Sequence, residues 1–117
     1  MKRLLAAALA LAAPVLALAQ GATAMPQLSL EQFTAIAVNS CLQSVSTVPP
    51  YGESDIKDSP KFADYCKCFS DKFGERAYKL SQGTIPKPTP RESLAGQRAM
   101  RNGCREQLGL PQIAFKP

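Results

Sequence analysis

Four cysteines, Cys41, Cys66, Cys68 and Cys104, in a chain without histidine are the residues best suited to chemistry. Cys66 and Cys68 stand one residue apart in Tyr65-Cys66-Lys67-Cys68-Phe69, inside the second of three predicted helices. On a helix, positions two apart point roughly 200° away from each other. The two thiols therefore splay, and each must reach a different partner. Zinc sites place two to four residues between paired cysteines, so this spacing argues against a metal centre. Met25 and Met100 are too far apart in sequence to supply a soft second pair. A redox pair is the sharper alternative for Cys66 and Cys68, because a helical C-x-C disulfide would be strained and reactive. No C-x-x-C at a helix start supports it.

Catalysis by a nucleophile needs a base beside it, and without histidine no Asp/Glu pair shares a helical face with a nucleophile. The reading is a non-enzyme with no cofactor and no metal. Charge offers more. The chain carries 14 basic and 9 acidic residues, and the balance is uneven: 20–71 is net acidic, 72–117 net basic. On the third predicted helix Arg91, Arg98 and Arg105 recur every seven residues, and Arg101 falls close by, so four guanidinium groups gather within about 80° of one face. Such forks suit carboxylate and phosphate partners. The plainer reading is a solvated face, partly neutralised by Glu53, Asp55 and Asp58 of a long loop. That loop, 46–59, holds Pro49-Pro50-Tyr51-Gly52. Tyr51 is its one large apolar contact, either tucked back onto the helices or offered to a partner.

These residues need positioning elements, and an address. Residues 1–19 have the form of a secretory signal peptide: Lys2 and Arg3, an apolar run over 4–18, and Ala17-Leu18-Ala19 before Gln20, with cleavage expected near Ala19. No later stretch approaches the roughly 20 apolar residues of a membrane span. A periplasmic or secreted protein of about 98 residues follows, with a loose leader 20–28 and a single domain 29–117. Its core would be small and marginal. Four cysteines in such a chain read as a disulfide framework.

Three helices are expected. Ser29 with Gln32 makes a capping box, and Leu28 with Phe33 a hydrophobic staple, ahead of the stripe Leu30, Phe33, Ala37, Cys41, Val45. Ser59-Pro60 opens the second helix, whose stripe is Phe62, Cys66, Phe69, Phe73, Ala77 and Leu80, with Gly83 as its stop. Residues 84–90 place proline at every second position, a stiff extended connector. Thr89, Pro90 and Glu92 start the third helix, which ends by Gly109. Gly96, Ala99 and Gly103 on that helix would let another backbone come close.

An up-down-up arrangement puts the cysteines at matching heights: Lys67 to Ser81 and Pro90 to Cys104 each climb roughly 21 Å at about 1.5 Å per residue. Two pairings survive, Cys41–Cys66 with Cys68–Cys104, or Cys41–Cys68 with Cys66–Cys104. The first is preferred, because Cys41 and Cys66 both lie on the principal apolar stripes. The fold class read from the sequence is thus all-α, a small three-helix bundle stapled by two disulfides. Function is read by class: a protein that binds another protein with an acidic surface, using the long loop and the arginine face. An anionic envelope polymer is the second partner class, and nucleic acid is not expected. The alanine-rich leader looks bacterial, and at the level of size and address the chain is comparable to envelope inhibitors and immunity proteins. Its competitors are a thiol–disulfide component and a small apolar-ligand carrier.

Overall fold

The computed structural model describes residues 27–116. The expected signal peptide, its cut near Ala19 and most of the leader lie outside the described residues. Within them the protein is all-helical: α1 (Leu30–Gln43), α2 (Phe62–Ser81) and α3 (Pro90–Gln107), with short 3-10 turns at Ser44–Ser46 and Ser54–Ile56. No strand occurs among the described residues. Gln27, just before α1, donates to the Ser81 carbonyl and accepts from Gln82, so α1 begins where α2 ends. No helix among the described residues is long and apolar enough to cross a membrane.

Local chemistry explains the boundaries. The Ser29 hydroxyl accepts from the Gln32 N–H, and the Gln32 side chain accepts from the Ser29 N–H at 2.8 Å, which satisfies two donors a helix start leaves unpaired. Thr89 and Glu92 repeat the device on α3. There the Thr89 backbone N–H, and then its hydroxyl, hold the Glu92 carboxyl below its ordinary range. α2 starts two residues later than Ser59-Pro60 suggested. Ser59 still accepts from the Lys61 N–H, but Lys61 has φ −93° and ψ 1°, so Ser59 caps a turn that leads into the helix. Gly83 and Gly109, with φ of 68° and 67°, close α2 and α3 in the left-handed conformation that glycine adopts at little cost.

Two disulfides join the rods in the preferred pairing. Cys41–Cys66 ties α1 to α2 with Cα atoms 5.5 Å apart, and Cys68–Cys104 ties α2 to α3 at 5.8 Å. Cys41, Ile56, Tyr65, Cys66 and Cys104 form the buried cluster, with Phe62, Phe69, Leu108 and Leu110 packed on it. α2 is the middle layer and buries more than its apolar stripe: Tyr65, Ser70 and Gly74 are also buried. At 100° per residue, Ser70 and Gly74 lie on one flank of the Phe69–Phe73 stripe and Tyr65 on the other. α1 covers the first flank and α3 the second.

The close approach of helices falls elsewhere than expected. A methyl at Gly74 would stand 2.6 Å from the Thr34 hydroxyl and 3.0 Å from its Cα and backbone N, so the backbones of α1 and α2 come close at this point. On α3, Gly96 faces the Arg76 guanidinium and Gly103 only the tip of Lys72. Small residues on α3 make room for long side chains of α2, and no second backbone uses them.

Candidate interaction site

The arginine face divides when the loop folds onto it. Glu53 is the hub, with a side chain 5% exposed. Its Oε1 accepts from the Tyr65 hydroxyl and from Arg101 Nε, both at 2.7 Å, while Oε2 pairs with Arg105 Nη2. Asp55 adds a bidentate fork on Arg105 at 2.8 and 2.9 Å, and the Pro111 carbonyl accepts from the same guanidinium. Arg105 is fully buried, with its Cζ 5.5 Å from the Tyr65 ring centroid. It is not part of a solvated helix face. Its charge holds because four acceptor contacts and an aromatic face replace water.

The electrostatics follow from this geometry. Burial works against the Arg105 charge, but its hydrogen bonds to Asp55 and Glu53 outweigh this and raise its titration above the usual range. Arg105 holds the Asp55 carboxyl below its usual value through their fork, partly opposed by desolvation. Tyr65 moves upward, first through burial and then through its bond to the Glu53 carboxylate. All three shifts favour the states seen here at neutral pH.

Arg101 fixes the loop tip. Its Nη1 donates to the Pro50 carbonyl at 2.6 Å and its Nη2 to the Gly52 carbonyl at 3.0 Å, so the carbonyls of the two residues flanking Tyr51 are held by one guanidinium. Tyr51 and Gly52 also donate their N–H groups to the Val48 carbonyl at 3.1 Å. A side chain at Gly52 would strike the Thr47 carbonyl, so the tip closes only around glycine. The bond between Pro49 and Pro50 is cis. Clamped in this way, Tyr51 does not tuck back: it is 86% exposed, and its neighbour Val48 is 65% exposed.

Beside the tip runs a cleft of about 120 Å³ lined by Pro50, Tyr51, Leu94, Arg98, Arg101 and Phe115. Phe115 comes from the tail, which Asn102 pins to α3 by accepting from the Ile113 N–H and donating to its carbonyl. The Arg98 guanidinium lies 4.8 Å from the centroid of Phe115. Of the four arginines singled out on α3, Arg101 and Arg105 are consumed inside the molecule. Arg98 borders the cleft, and Arg91, two turns earlier, is exposed. Asp58, expected to neutralise the same face, is exposed, while Glu53 and Asp55 form the ion pairs.

Sequence reasoning did not single out Glu53 as a hub or Tyr65 as its donor. The usable signal was Glu53-x-Asp55 in a loop opposite Arg101 and Arg105, four residues apart on one helix face. The described residues contain no free cysteine and no cluster of three or more metal-ligating side chains. Comparison with protein-family models, curated proteins and solved structures returns no match.

Proposed function

We propose that this chain is an exported, non-catalytic binding protein that recognises another protein through the Tyr51 tip and the Leu94–Arg98–Phe115 cleft beside it. The observation that carries the reading is the exposed Tyr51 side chain on backbone clamped from both sides by Arg101. An aromatic ring presented on rigid backbone loses little entropy on binding and can fill a partner's pocket. Arg98 borders the cleft beside the tip and no carboxylate lines that cleft, so an acidic partner surface fits better than a basic one. Two disulfides suit an oxidising compartment, and inhibition or immunity toward an envelope enzyme is the kind of role such a protein would have.

The test is recovery of a partner from the producing cell's envelope with wild type, Tyr51→Ala and Arg98→Glu proteins, then titration of the purified partner. Tyr51→Ala is expected to weaken binding by tenfold or more, since a buried aromatic anchor contributes about 2 kcal/mol. Arg98→Glu should mainly slow association and reduce its salt dependence. Equal affinity for all three proteins would remove the tip as the contact surface. The thiol–disulfide reading is separated by counting exchangeable thiols: reversible exchange of two at physiological potentials would favour redox work over binding.

A further inference from the structure

Among the described residues a wide opening lies at the other end, bordered by α2, the connector and the start of α3. The phenylalanines along α2 give way to Ala77, and α3 faces that position with Ser93. The connector contributes Ile85 and Pro88, and its proline-rich backbone is stiff enough to hold that wall apart. What remains is an apolar groove of about 1000 Å³ bordered also by Phe33 and Leu80. Past shared walls at Ala77, Leu80 and Ser93 it narrows into a recess of about 80 Å³ closed by Phe73 and Arg76. Its size and mostly apolar lining match small-molecule sites.

Two observations select the occupant. Among the described residues, the only charged side chains lining groove and recess are Lys87 and Arg76, both cationic. An α-helix about 10 Å across cannot follow the groove into so small a recess, whereas a single hydrocarbon chain can. We propose that this groove binds a long-chain carboxylate, its tail running along Ala77 and Leu80 toward Phe73 and its headgroup paired with Lys87 at the mouth. Lys87 suits the role because its stem can lie on apolar surface while its ammonium stays in water. Tyr51 lines neither groove nor recess, and Gln97 alone borders both the recess and the cleft beside the tip, so one site can fail without the other.

The experiment titrates the purified, disulfide-bonded protein with cis-parinaric acid, whose fluorescence rises on leaving water, and with its methyl ester. Wild type should bind the acid saturably at one per chain. Ala77→Trp, which fills the groove, should lower affinity more than tenfold. Lys87→Glu should weaken the acid about fivefold, the scale of an exposed ion pair, and leave the ester unchanged. Tyr51→Ala should bind the acid as wild type does. Folding of each variant is checked by helicity and absence of free thiols; if Ala77→Trp does not fold, the acid-against-ester comparison in Lys87→Glu decides. No saturable binding by wild type, full affinity in a folded Ala77→Trp, or equal loss of acid and ester in Lys87→Glu would each overturn the proposal. So would concentration-dependent dimerisation abolished by Ala77→Trp, which would make a second copy of the chain the occupant.

Discussion

Replacing Glu53 by glutamine keeps the size of the side chain and removes the charge that two arginines share. Its Oε1 can still accept from Tyr65 and Arg101, but the new amide would present N–H groups to the buried Arg105 Nη2. Removing one partner of a buried pair costs about 3–5 kcal/mol. The lower end applies here, because Asp55 and the Pro111 carbonyl continue to hold Arg105, and the Pro50 and Gly52 carbonyls continue to hold Arg101. A loss of about 3 kcal/mol is large against a total of roughly 5–15. In a domain of this size it lowers Tm by about 12–24 °C. With a urea slope near 1 kcal/mol per M, the midpoint falls by about 3 M. The assay is urea unfolding followed by far-ultraviolet circular dichroism with disulfides intact, comparing wild type, Glu53→Gln and Asp55→Asn. Asp55 is 32% exposed, so its variant should lose less, about 1 kcal/mol. A Glu53→Gln protein within 1 kcal/mol of wild type would refute the claim that the loop is held by this buried hub.

Gly74→Ala should destabilise the fold by about 1–3 kcal/mol through overpacking against Thr34, more than the roughly 1 kcal/mol that alanine gains in a helix; thermal unfolding reads the sign. Cys68→Ser with Cys104→Ser opens a link 36 residues apart in sequence, worth about 3.8 kcal/mol in the chain-entropy picture, and should melt α3 away first, visible as early amide exchange there. The depressed Asp55 pKa sets an acid limit: its contribution is present above the unfolded value of 3.8 and is lost as pH falls through the lower folded value. Stability measured between pH 5 and pH 2 should therefore fall less steeply for Asp55→Asn than for wild type. Tyr65 acts at the other extreme. Its raised pKa means that stability is full below the unfolded value of 10.0 and declines as pH rises beyond it, a decline Tyr65→Phe should lack.

Much of the framework was legible because it rests on local rules. Ser29 with Gln32, Thr89 with Glu92, and the glycines at 83 and 109 act within one helical turn, so residue type and spacing suffice to place them. The disulfide pairing needed one further step, matching heights along rigid rods, and still left two solutions before the tertiary structure selected Cys41–Cys66 with Cys68–Cys104. The loop was harder to read. A heptad of arginines looks the same whether water or a carboxylate faces it, and burial of Arg105 depends on Glu53 arriving from 52 residues away. Tyr51 was ambiguous for the same reason, since its exposure follows from the grip of Arg101 on the carbonyls beside it.

By itself, then, the amino-acid sequence determined three helices, the caps of α1 and α3, the stops of α2 and α3, and cysteines that a helix forces to opposite sides. Only the tertiary structure decided which arginines are buried as ion-pair partners and which remain at the surface, where α1 and α2 touch, and that α2 and α3 leave a groove between them. The physical reason is range. Helix chemistry is settled within about four residues along the chain, whereas the desolvation that makes an ion pair internal or a groove apolar is set by elements that meet only after the chain has folded.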